Sequence, residues 1–144
     1  MIVYTVGTFD LLHVGHLALL EFCRTLGDVV IVGVASDRVV NSYKPNVPVI
    51  PLDQRVEMLE ALRCVDIVRP YHKLEYTSAC KELDVDIFVI GEDWGKKSHN
   101  LEDTFSLPRG SLQYFTKHTL YTPVFFTSNF ITLPICNNPG AVIG

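Results

Sequence analysis

The chain opens on a short apolar run, Ile2 to Val6, rich in β-branched residues, which predicts a strand over 2–6. The period then changes. Leu17, Leu20 and Leu26 recur near helical spacing and predict a helix over 15–26, with Gly27 where a helix C-cap would stand. DVVIVGVAS, residues 28–36, is a continuous apolar run of strand length, as expected of a parallel strand buried on both faces. Pro45, Pro48 and Pro51 interrupt the next stretch, so 37–52 reads mostly as loop. Asp53 offers an N-cap to a helix over 54–63, with Val56, Leu59 and Leu62 on one face. A short strand over 64–70, a helix over 74–83 and a second buried strand, VDIFVIG at 85–91, complete the series. Strands alternating with helices build βαβ units, hence an α/β fold whose parallel sheet is covered on both faces, with right-handed crossovers. Ligands of such sheets sit at the carboxyl ends of the strands, near the topological switch point. GTFDLLH leaves the end of the first strand and GEDW the end of the strand at 85–91, so both fall on that edge.

From Thr104 the pattern stops. All 16 acidic residues precede it, and phenylalanine, threonine and proline accumulate after it. No helical or strand period stands out there. The stretch is too apolar for typical disorder, and its prolines oppose a long helix. Residues 1–103 are therefore set apart from a tail at 104–144.

Composition removes several classes. A chain of 144 residues is about one domain, and 48% apolar content is enough for a core. A net charge of −4 argues against nucleic acid as a bulk partner, while a small anion needs only a few local cations. Cys23, Cys64, Cys80 and Cys136 are far apart and form no C-x-x-C, which fits thiols in a reducing compartment better than a disulfide frame or zinc site. Neither a signal peptide nor an apolar run near the ~20 residues of a membrane span is visible. The expectation is a soluble cytoplasmic domain with no membrane partner.

The chemistry concentrates in GTFDLLHVGH, residues 7–16, where His13 and His16 bracket Gly15 at a strand-to-helix turn. A zinc pair on a helix more often uses i, i+4, and besides Asp10 no further ligand converges on these two. Nucleophilic catalysis lacks a G-x-S-x-G or a cysteine in a suggestive context. Two histidines packed or capping at a helix start is the plain structural reading. Phosphate chemistry is the fourth. A helix N-terminus attracts anions, Gly15 lets the backbone approach a bound group, and two imidazoles can donate to phosphate oxygens. Nucleotidyl transfer asks mainly for positioning and charge stabilisation, with no side-chain nucleophile.

These residues resemble the H-x-G-H signature of the nucleotidylyltransferase superfamily. The ordered set GTFDLLHVGHLALLEFCRTLGD, VGVASD, a loop lysine, DQRVEMLEALRCVDIV and VDIFVIGEDW resembles the glycerol-3-phosphate cytidylyltransferase family over about residues 2–97. The resemblance implies a Rossmann-like doubly wound parallel sheet and transfer of CMP from CTP to glycerol 3-phosphate, with Mg²⁺. CDP-glycerol would form, pyrophosphate would leave, and teichoic-acid precursor supply is one pathway this suits. It implies catalytic roles for His13, His16 and Lys44 at the CTP phosphates, and nucleotide contacts from Thr8, Phe9, Asp10, Gly15, Asp93 and Trp94. Asp10 would orient the turn or help with the magnesium. Arg55 and Arg63, one face apart on the 54–63 helix, become acceptor-phosphate or structural residues, and Lys73 is the nearest acceptor-side lysine. No resident protein-bound metal is implied. A homodimer is.

The match departs at the end. Family members carry R-T-E-G-I-S-T-T after the last strand, and this chain reads LPRGSLQYFTKHTLY. Only Arg109 carries over, as a nucleotide contact. Two other readings stay open. One is an adenylyl- or cytidylyltransferase with another phosphorylated acceptor, such as a sugar phosphate, ethanolamine phosphate or choline phosphate. The other is a degenerate, non-catalytic nucleotide-binding homologue.

Overall fold

Neighbouring strand residues face opposite sides of a sheet, and here both sides are buried. Val3, Val30, Val32, Val34, Ile87 and Val89 enter one apolar cluster, while Tyr4, Ile31, Phe88 and Ile90 enter another. That double burial is why the strands Ile2–Gly7, Val29–Ala35 and Ile87–Gly91 read as unbroken apolar runs. The computed structural model describes residues 1–74, 76–91 and the strand at 112–115. In chain order its elements are β1 (Ile2–Gly7), α1 (Val14–Leu26), β2 (Val29–Ala35), α2 (Asp37–Tyr43), α3 (Leu52–Glu60), β3 (Ile67–Tyr71), α4 (Thr77–Glu82), β4 (Ile87–Gly91) and β5 (Leu112–Phe115). The strands form one sheet in the order β3-β2-β1-β4-β5, and every pairing is parallel. Residues of α1 and α3 pack in the first cluster, among them Leu20, Cys23 and Leu59, and Cys80 of α4 packs in the second. The fold is thus α/β and Rossmann-like. The chain winds outward from β1 through β2 to β3, then restarts on the other side at β4. The reversal lies between β1 and β4, where the diverging chain leaves a crevice at the carboxyl ends.

Several expectations need correction. Part of the stretch read as loop is α2, started by Ser36, whose Oγ accepts from the Val39 N–H. It is only seven residues long and shows no repeated apolar period. It stops where Pro45 forces Lys44 into an extended conformation (φ −123, ψ 144). Pro51, not Asp53, is the N-cap residue of α3, and no side chain caps that end. Gly27 does occupy the C-cap of α1, but with extended backbone. Its reason is close approach, since a Cβ there would stand 2.5 Å from the Met1 carbonyl oxygen. The third strand starts three residues later than expected, because Cys64 and Val65 are buried in the turn before it. Pro70 is tolerated inside β3 because β3 is an edge strand. The aperiodic tail supplies β5, which pairs with β4 from Phe88↔Leu112 to Gly91↔Phe115.

At the amino edge of the sheet, carboxylates take up the strand N–H groups. Asp66 accepts from Val30 N and Arg24, both at 2.7 Å, and Asp86 accepts from Ile2 N at 2.7 Å. Cys23, Cys64 and Cys80 are buried, and none of the three is in a disulfide. Among the described residues no helix is long and apolar enough to cross a membrane.

Candidate active site

The turn between β1 and α1 is built under constraint. Phe9 and Leu11 both hold left-handed backbone, with φ of 51 and 50. Such conformations cost of order 1–3 kcal/mol each and persist where surrounding bonds over-determine them. Those bonds are present. Asp10 accepts from the Val49 N–H at 2.8 Å and the Ile50 N–H at 2.9 Å, fastening the turn to the loop before α3. Burial pushes the Asp10 pKa up, but the Ile50 and Val49 N–H groups and the Arg55 charge outweigh it, so the carboxyl sits below its usual value.

Arg55 completes the fastening. It is 1% exposed. Its Nε donates to the Ile50 carbonyl, one terminal nitrogen donates to the carbonyls of Thr8 and Ala35, and the other pairs with Asp37. One guanidinium thus joins the ends of β1 and β2, the first turn of α2 and the loop before α3. Of the two roles raised for Arg55, the structural one matches this environment, since its nitrogens are engaged by the protein itself.

The two imidazoles share one job and keep a second free. His13 is the N-cap of α1, and its Nδ1 accepts from the Gly15 N–H at 3.0 Å. His16 Nδ1 accepts from the His13 N–H at 3.3 Å. This is the reciprocal logic of a capping box, with imidazoles in place of hydroxyl and carboxylate. Gly15 is required because a Cβ would stand 2.8 Å from the His13 ring. A nitrogen that accepts carries no proton, so in both rings Nε2 holds it and remains a donor. The rings stack with centroids 3.9 Å apart, and Phe9 lies 5.4 Å from His16 on a tilted face. Burial, then repulsion from His13, lowers the His16 pKa to about 4 against a smaller opposing pull from Asp10. At neutral pH His16 is an uncharged hydrogen-bond donor. The capping reading and the phosphate reading therefore describe opposite nitrogens of the same rings.

A cleft of about 350 Å³ opens above this turn, lined by Thr8, Phe9, Asp10, His16, Lys44 and Gly91 among others. The sequence missed two of its features. Asn46 lines it, and Tyr43 reaches Thr8, with Tyr43 Oη and Thr8 Oγ1 3.2 Å apart. Tyr43 sits on the helix that the prolines hid. A larger cavity of about 740 Å³ lies between residues 9–12 and α3, but Leu11, Leu12, Met58 and Ala61 make it mainly apolar. The smaller cleft is the better site because it holds the polar donors and sits at the sheet's reversal point.

The fold does not gather every candidate. Arg63 is not on the helix, which ends at Glu60; it is exposed in the turn before β3, at the amino edge opposite the cleft. Lys73 follows the carboxyl end of β3, exposed and two strands from β1, and is not among the residues lining the cleft. Asp93, Trp94 and Arg109 lie outside the described residues. Among the described residues no group of three or more His, Cys, Asp or Glu is placed to hold a metal.

Comparison with known proteins gives one answer. The chain is 39% identical over 102 residues to the glycerol-3-phosphate cytidylyltransferase of Staphylococcus aureus, covering 70% of this chain and 76% of that one. It is 41% identical over 97 residues to the FAD synthase of Methanohalophilus mahii, covering 67% of each. A lipopolysaccharide core biosynthesis protein from Thermoplasma volcanium shares the fold, with a TM-score of 0.65 at 22% identity over 81% of this chain and 94% of that one. The cytidylyltransferase-like family matches residues 4–128, which take in the strained turn, the cleft above it and all but the first two residues of the sheet. On a match of that breadth the chain belongs to the cytidylyltransferase-like family, and it is a nucleotidyltransferase.

Proposed function

We propose that the chain transfers CMP from CTP to glycerol 3-phosphate, giving CDP-glycerol and pyrophosphate. The observation that carries this is one cleft lined by both His16, with its Nε2–H donor, and Lys44, with the His13 ring stacked on His16. The choice of base and acceptor rests on the likeness to the Staphylococcus aureus enzyme. A phosphate oxygen of the acceptor attacks the α-phosphorus of CTP, and the bond from that phosphorus to the bridging oxygen breaks as pyrophosphate leaves. The acceptor is its own nucleophile. The protein holds the triphosphate and stabilises charge on the equatorial oxygens. A neutral His16 suits donation, because it needs no proton from solvent to act. Thr8, Phe9 and Gly15 line or shape the phosphate path, and Asp10 keeps the turn in place.

Magnesium enters this reading as part of the substrate, Mg–CTP. Both Asp10 oxygens already accept backbone N–H groups, and the described residues offer no carboxylate cluster. Contact through the nucleotide phosphates is how this ion is often carried. Homodimerisation belongs to the same reading and is tested by light scattering on the purified protein.

The likeness to FAD synthase favours a second reading, with ATP and another phosphorylated acceptor. One assay separates the two: pyrophosphate release with CTP or ATP, each paired with glycerol 3-phosphate, ethanolamine phosphate, a heptose 1-phosphate or FMN. Release confined to CTP with glycerol 3-phosphate, and abolished by His16→Ala, supports the proposal. Turnover only with ATP overturns the choice of base, and no turnover with any pair favours the degenerate homologue.

A further inference from the structure

We infer that Tyr43 is a positioning residue for Lys44, a role that rests on reading the cleft as the nucleotide site. Lys44 comes from an unpromising place. It is exposed, it ends a helix of seven residues, and a proline follows it. A lysine so placed would sweep a wide arc unless the helix end were held. Both ends of α2 are held. At the start, Asp37 pairs with the buried Arg55, which also binds the carbonyls of Ala35 and Thr8. At the finish, Tyr43 Oη and Thr8 Oγ1 lie 3.2 Å apart. Thr8 is therefore gripped twice, by its carbonyl through Arg55 and by its hydroxyl through Tyr43. The second grip joins the last residue of α2 to the strand-to-helix turn beside the stacked imidazoles.

The ring of Tyr43 adds to the hydroxyl. It packs against the small cluster of Ala35, Val39 and Val40, and the Lys44 ammonium lies 5.7 Å from its centroid, within cation–π range. The Lys44 N–H closes α2 on the Val40 carbonyl at 2.9 Å, so the lysine backbone moves with the helix end. Tyr43 thus fixes where the Lys44 side chain starts, and its ring gives the ammonium a resting surface at the cleft mouth. The tyrosine does not itself act on phosphate.

Two measurements on the full chain test this. The first needs no substrate. Amide hydrogen exchange is compared between wild type and Tyr43→Phe, which keeps the ring and removes the hydroxyl. One lost hydrogen bond predicts about five-fold faster exchange at Lys44, with Val39 at the Ser36-capped end unchanged. The second is a double-mutant cycle on kcat/KM for the nucleotide. Tyr43→Phe is expected to lower it about five-fold in wild type and hardly at all in Lys44→Ala. Unaltered exchange at Lys44 overturns the inference, and so does an equal loss in both backgrounds. Absence of turnover in wild type would count against the proposed function alone, since the exchange comparison still decides whether Tyr43 holds Lys44.

Discussion

The two edges of the sheet solve the same problem with opposite signs. At the amino edge a parallel strand presents unpaired N–H groups, and Asp66 and Asp86 accept them from Val30 and Ile2. At the carboxyl edge the strand ends present carbonyls, and Arg55 donates to those of Thr8 and Ala35. The consequence for function is in what each edge has left over. The amino edge is acidic, with Asp28, Asp66 and Asp86 grouped around Met1 and Arg24. At the carboxyl edge Asp37 is matched by Arg55, and Asp10 is occupied by backbone N–H groups. Among the described residues, that edge also carries the neutral His16 donor, the His13 ring stacked on it, and Lys44. A chain of net negative charge thereby keeps an anion-friendly cleft by placing much of its acid elsewhere.

The most severe way to break this contrast is to remove Arg55. Arg55→Met strands three carbonyls and the Asp37 carboxylate, and roughly 3–5 kcal/mol of stability should go, read by urea unfolding. A loss below about 1 kcal/mol would show that the junction holds without it. Next in size is His16→Ala, which removes one donor from the cleft. Turnover should drop about 100- to 1,000-fold, and the melting temperature should fall by roughly a few degrees because the cap on the His13 N–H goes too. Full activity in a folded variant would remove His16 from the reaction. At the other edge, Asp66→Ala leaves the Val30 N–H unanswered and frees Arg24, costing about 1 kcal/mol for partly exposed groups. Turnover should be unaffected, because the residue lies at the far end of the strands. A loss of turnover at full stability would couple the two edges.

A separate effect is in pH. Folded His16 takes a proton only near pH 4, against 6.5 for an ordinary histidine. Between those values the unfolded chain binds more protons than the folded one, so stability rises with pH across this window and is lost as pH falls. His16→Gln should flatten that slope in unfolding experiments from pH 4 to 7. An unchanged slope would place the titrating group elsewhere.

Legibility followed local cause. β1, α1, β2 and β4 were readable because burial on one or both faces writes a period into the sequence, and H-x-G-H was readable because glycine between two histidines at a strand end is a compact pattern. α2 was not readable. Seven residues hold too few turns for a period, and the prolines behind it dominated. Its missing helix concealed Tyr43. Arg63 was misplaced for a related reason, since the apolar spacing of Leu59 and Leu62 continues past the point where α3 ends, with Leu62 packing from the turn.

The sequence by itself determined the alternation of strands and helices, the edge on which GTFDLLHVGH falls, and the kind of chemistry its residues suit. Each depends on neighbours along the chain. Only the tertiary structure decided that Arg55 faces inward to four partners, that Asp10 binds backbone 39 and 40 residues away, and that each imidazole has one engaged and one donating nitrogen. The physical reason is that a buried polar group must find a partner wherever the fold brings one, and spacing along the chain does not say which partner that will be.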